Sequence, residues 1–84
     1  MKESFDDLKR DMDDACAFLR GFTLGHPGFT RRDGTAAINR VRELSERLQV
    51  AFTVGKYNKE VVLAVASAKG QILAANARFD LLRR

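Results

Sequence analysis

Few side chains in this sequence could do chemistry, and they fall in three places. Five aspartates, Asp6, Asp7, Asp11, Asp13 and Asp14, crowd the N-terminal segment. Asp7, Asp11 and Asp14 recur at helical spacing, so they share one face, and a cluster of this kind could supply part of the oxygen set that a hard cation needs. The other part is missing from the sequence pattern: no Asp-x-Asp-x-Asp-Gly loop occurs, and Lys9 and Arg10 interleave the acids at i,i+3 and i,i+4. The expected reading is a solvated, self-paired face, with a dock for a basic partner as its alternative.

Cys16 and His26 are the only residues of their kinds. One thiol and one imidazole give no recognisable zinc spacing, and a Cys/His nucleophile pair would need two elements to converge on a cleft. The glycines between Gly25 and Gly34 fit neither phosphate-cradling pattern, Gly-x-Gly-x-x-Gly or Gly-x-x-x-x-Gly-Lys. No enzyme activity, metal or cofactor is therefore expected. Arg31 and Arg32 lie next to Phe29 in what reads as an exposed loop before a helix N-terminus, where guanidinium groups and free amides could hold a phosphate or carboxylate; Arg40 would add a third cation on the following helix.

The elements that position these residues follow from apolar spacing. Phe5, Leu8, Met12, Ala15, Leu19 and Phe22 draw one stripe along a helix over about 4–24, opened by Ser4 and Asp7 in a capping-box arrangement. Gly25–Gly34 carries the only proline and three of the six glycines, which makes it the main loop. Ala37, Val41, Leu44, Leu48 and Ala51 predict a second helix over about 34–54, with Gly55 as terminator. Asn58 is the expected N-cap of a third helix to about residue 83, whose stripe is Val61, Val65, Ala68, Ile72, Ala75, Phe79 and Leu82. The fold class is thus all-α, an antiparallel three-helix bundle. The alternative is an ααββα order, with strands at Val50–Val54 and Val61–Val65 around a Gly55–Lys59 turn and a second turn at Lys69-Gly70. Six alanines between residues 60 and 77 favour helix, because alanine packs poorly on a sheet.

The third helix carries a second apolar row, Leu63, Ala66, Gly70, Leu73, Ala77 and Leu81, offset by two residues and so about 200° round from the first. Between Val61 and Ala77 its only charged residue is Lys69. An ordinary surface helix keeps one polar side, so something is expected to cover this row, either a second copy of the chain or a partner's helix. Ala66, Gly70 and Ala74, four apart, would let another backbone come close.

With 84 residues, 45% hydrophobic and 31% charged, the chain is one small domain, too apolar for a disordered polyampholyte and without the run of about 18 apolar residues that a membrane span requires. A domain of this size is marginal alone, and oligomerisation is a common remedy. A lone cysteine, and a start at Met1–Asp7 with no signal-peptide pattern, point to a reducing, cytoplasmic setting. The net charge of +4 hides a gradient, since residues 1–20 hold four basic and six acidic side chains and residues 50–84 hold six and two. An acidic start and a basic end would favour pairing of the first and last segments, and the basic end also admits nucleic acid as a partner. No helix-turn-helix or aromatic-rich strand supports that partner.

Gly70-Gln71-Ile72-Leu73-Ala74-Ala75-Asn76-Ala77-Arg78-Phe79 resembles the strand-to-helix step of PAS sensor domains, in which a Gly and an Asn flank a short apolar strand. The resemblance covers ten residues and assigns no family. The expected function is a small interaction module, an assembly subunit, adaptor or regulator working through coiled-coil-like helix contacts. A nucleic-acid-associated regulator is the alternative.

Overall fold

Ser4 opens the first helix, α1 (Phe5–Thr23), by accepting the Asp7 backbone N–H on its hydroxyl at 3.1 Å, and Asp6 and Asp7 sit at the positive end of the helix dipole. The computed structural model describes residues 4–52 and 58–82. At its far end α1 closes in a Schellman turn: Gly25 takes φ 74°, its N–H donates to the Phe22 carbonyl, and the His26 N–H donates to the Gly21 carbonyl, both at 3.0 Å. Gly25 supplies the left-handed conformation that a residue with a Cβ rarely adopts.

The second helix, α2 (Arg31–Phe52), starts three residues earlier than its apolar stripe predicts. The cause is a reciprocal capping box. The Asp33 N–H donates to the Thr30 hydroxyl at 3.2 Å, and the Thr30 N–H donates to the Asp33 carboxylate at 2.8 Å. Arg31 and Arg32 are consequently the first two residues of a helix and not loop residues. The third helix, α3 (Asn58–Leu82), runs unbroken, and the expected capping role of the Asn58 side chain lies outside what the structure describes. Continuity through Val61–Val65 and Lys69-Gly70 removes the ααββα alternative, and it places the whole PAS-like decapeptide on a helix. The expected Gly55 terminator and Lys56-Tyr57 connection lie outside the described residues.

Each helix turns its predicted stripe inward. Phe5, Leu8, Met12, Leu19 and Phe22 of α1, Val41, Leu44 and Leu48 of α2, and Val61, Val65, Ala68 and Ala75 of α3 are buried in one core. Two corrections apply at the edges. Ala51 is exposed while Ile38, next to Ala37, is buried, and Leu82 is 40% exposed; the stripes drift off the core axis toward the helix ends. All three helix pairs touch. Residues Phe22 and Gly34 meet across α1 and α2, and Arg31 and Asp80 line one groove between α2 and α3, so successive helices run antiparallel.

It follows that α1 and α3 run in the same direction. Lys9 lies level with Glu60, and Arg20 level with Gln71, along their shared groove. The acidic first segment thus lies along the basic last one, with the start of α1 beside the start of α3. One cation from late in α3 does reach α1: the Arg78 guanidinium lies over Gly25, at the carbonyl end of α1, where a positive charge is favourable.

Candidate functional site

Helix α3 has an inward side and an outward face that nothing among the described residues covers. Around its axis Val61, Val65, Ala68, Ile72, Ala75 and Phe79 meet the core, while the opposite 120° or so holds Val62, Leu63, Ala66, Gly70, Leu73, Ala77 and Leu81. All seven are exposed; Val62, Leu63, Leu73 and Leu81 stand 58–70% in the open. The row runs about 28 Å along the helix. A soluble chain seldom keeps a continuous apolar strip of this length bare.

The strip has a core and a rim. On one side the groove between α1 and α3, about 420 Å³, is edged by Lys9, Asp13, Arg20, Glu60 and Gln71. On the other, a groove of about 460 Å³ between α2 and α3 is edged by Arg42, Glu46, Gln49, Lys69 and Asn76. An apolar centre within a polar border is the anatomy of a protein–protein interface. The sequence pattern placed Leu63, Ala66, Gly70, Leu73, Ala77 and Leu81 on this face but passed over Val62, which looks inward when only its β-branched run with Val61 is considered. Its position, one residue round from the core stripe, was the available signal.

Gly70 has open space where a Cβ would stand, with no atom within 4 Å. Nothing inside the chain therefore requires glycine there. Gly21 and Gly34 differ: a Cβ on Gly21 would lie 2.6 Å from Phe29, and one on Gly34 would lie 2.7 Å from Phe22. Those two glycines serve the fold, each roofed by an aromatic ring.

Of the three arginines proposed from sequence, Arg31 and Arg40 edge different grooves. Arg31 edges a groove between α2 and α3 beside Asp80, whereas Arg40 edges one between α1 and α2 and lies 3.6 Å from Glu43. The helix terminus beneath Arg31 and Arg32 already has its anion, since the Asp33 carboxylate closes the capping box there. Elsewhere the charges are paired along their own helices, Lys9 with Asp13, Arg10 with Asp7 and Arg47 with Glu43. Among the described residues no group of three or more His, Cys, Asp or Glu side chains comes together as a metal site.

Cys16 lines the α1–α3 groove. Burial raises its thiol pKa above the usual value, Asp13 raises it further and Arg20 opposes both, so the thiol is held protonated. His26 lies past the end of α1, edge-on to Phe29 at 6.5 Å between ring centres, and takes no part in that groove. Among the described residues no helix is long and apolar enough to cross a membrane. Comparison with protein-family models, with curated proteins and with solved structures finds no match to this chain.

Proposed function

We propose that the protein is a non-enzymatic interaction module, an assembly subunit, adaptor or regulator, that works by offering the outer face of α3 to another helix. The observation that carries the reading is the bare row of Val62, Leu63, Leu73 and Leu81 on a helix whose other side already belongs to the core. Helix-in-groove recognition uses anchors at i, i+3, i+4 and i+7, and Leu63, Ala66, Gly70, Leu73 and Ala77 have that spacing. The partner helix belongs to a second copy or to a different protein. A cytoplasmic setting suits a lone thiol that is half-buried and kept protonated.

Side-chain footprinting tests the reading. The purified chain is labelled alone and again in extract of the cells that make it. Leu63, Leu73 and Leu81 are expected to be protected in the extract, while Val50, 88% exposed on α2, labels equally in both. Leu63, Leu73 and Leu81 labelling in both samples as freely as their exposure in the single chain allows refutes the proposal. The nucleic-acid reading draws no support from the pairing of Arg31 with Arg40, because the two edge different grooves.

A further inference from the structure

We infer that the Asp33–Gly34 peptide is a site of spontaneous isoaspartate formation, held shut by the first turn of α2 and released to react whenever that turn opens.

Asp33-Gly34 is the only place in the chain where an aspartate or asparagine precedes a glycine. Glycine has no Cβ to hinder its own nitrogen or restrict its backbone, so this pair can close a ring that bulkier pairs resist. The Gly34 nitrogen bonds to Cγ of the Asp33 carboxylic acid. The acid's hydroxyl leaves Cγ and departs with the nitrogen's proton as water, and a five-membered succinimide results. Water then adds back across one of the two ring N–C bonds. Opening at Cγ regenerates aspartate, whereas opening at the former main-chain carbonyl leaves isoaspartate, with the chain now running through Cβ and Cγ. Solvent is the only co-reactant, and the composition of the chain is unchanged.

The folded geometry opposes each part of this step. The Asp33 carboxylate is engaged by the Thr30 N–H at 2.8 Å, and the Gly34 N–H is engaged by the Thr30 carbonyl at 3.1 Å. Helical backbone at Asp33 fixes the torsion that ring closure must change. Gly34 is buried with the Phe22 ring packed over it, which denies room for that rotation until the contact parts. The same contacts account for the presence of so reactive a pair. Aspartate at 33 completes the capping box, and glycine at 34 is what the Phe22 ring leaves room for. The two requirements are independent, and they fall on adjacent residues. Isoaspartate adds a main-chain carbon at this point, so the carboxyl and the following amides lose register with Thr30 and the first turn loses its box.

The test follows isoaspartate in the full chain by peptide mapping with fragment masses, in buffer and in urea sufficient to unfold it. In urea the product is expected at residue 33 ahead of every other aspartate. In buffer it should form roughly tenfold to a thousandfold more slowly, by the fraction of time that the turn is open. Gly34→Ala in urea should lose most of the product, a result that does not depend on whether that variant folds. Thr30→Ala removes the hydroxyl that accepts the Asp33 N–H; it should raise the rate in buffer about twofold to thirtyfold and leave the rate in urea unchanged, while Thr30→Ser stays slow. In the parent chain, at urea concentrations below the unfolding transition, isoaspartate formation should rise in step with hydrogen exchange of the Gly34 amide, which tests the gate without any substitution. The isolated isoaspartate chain should melt at least about 4–8 °C below the parent. Absence of isoaspartate at residue 33 in urea, or its appearance first at Asp14 or Asp80, overturns the site. Equal rates in buffer and urea, formation that does not track Gly34 exchange, or a folded Thr30→Ala chain that reacts no faster than the parent overturns the gate. An isoaspartate chain that melts with the parent overturns the loss of the turn.

Discussion

Replacing Gly34 with alanine should destabilise the protein, although helix propensity alone says the opposite. Gly34 lies inside α2, where Gly→Ala gains about 1 kcal/mol in open space. Here the added Cβ would stand 2.7–2.8 Å from three ring carbons of Phe22. Ordinary contact needs the ring to retreat by nearly 1 Å, and it has little room: Phe22 is 2% exposed and meets the Phe79 ring at 4.9 Å between centroids. Overpacking of this kind costs about 1–3 kcal/mol, which offsets the gain in propensity and leaves a net loss of up to about 2 kcal/mol. For a domain of this length that lowers Tm by up to about 10 °C. Gly70→Ala is the control, because no atom lies within 4 Å of its new Cβ, and it should raise Tm by about 4–8 °C. Both are measured by thermal circular dichroism in the Leu73→Lys background, so that association does not enter. A double-mutant cycle with Phe22→Leu should return a coupling of about 1 kcal/mol or more. Equal rises in Tm at Gly34 and Gly70, with no coupling to Phe22, would refute the argument that the ring fixes residue 34 as glycine.

Three further outcomes follow from the same geometry. Asp33→Ala removes the carboxylate that accepts the Thr30 N–H, and should cost about 0.5–2 kcal/mol in urea unfolding, against a few tenths for Asp14→Ala on the exposed face of α1. Cys16 has a folded-state pKa above its unfolded value, so its contribution to stability is complete below pH 9.0 and falls as pH rises through the folded value; alkylation of the folded protein should lag that of the urea-unfolded chain over the same range, and equal rates would contradict the burial argument. Added salt should leave binding at the proposed α3 face little changed, because that face is apolar. Steep weakening by salt would instead indicate an electrostatic contact of the kind nucleic acid makes.

The helices and most of the core were legible because a single stripe at 3.6 periodicity needs no knowledge of the partner element. Phe5 through Phe22 illustrate it, since every large residue of that row is buried. The start of α2 was hidden by chemistry that apolar spacing does not carry. Thr30 and Asp33 do spell a capping box, three apart, but Arg31, Arg32 and Gly34 around them read as loop. The roles of Gly21 and Gly34 were hidden for a different reason. Each is defined by a ring arriving from elsewhere in the fold, Phe29 from the loop and Phe22 from α1, and no local pattern announces a distant ring. The direction of α1 against α3 was likewise beyond the charge gradient. It follows from two successive antiparallel pairings, which bring the N-terminal halves of both helices together.

Among the rows on α3, the bare one is the more informative. A core stripe is forced by the need to bury area, so its presence says only that the chain folds. Keeping Leu63, Leu73 and Leu81 in the open gains nothing for a single chain, and each would serve solubility better as a lysine or glutamate. Gly70 makes the same point from the other side, because alanine there would strengthen the isolated helix at no steric cost. Residues that are unfavourable for the single chain are explained together by the proposed docking of a helix on this face. Leu73→Lys separates that proposal from a merely tolerant surface: on a tolerant surface the substitution changes nothing but charge, whereas on a docking face it places an ammonium group where a partner helix would pack and weakens that contact.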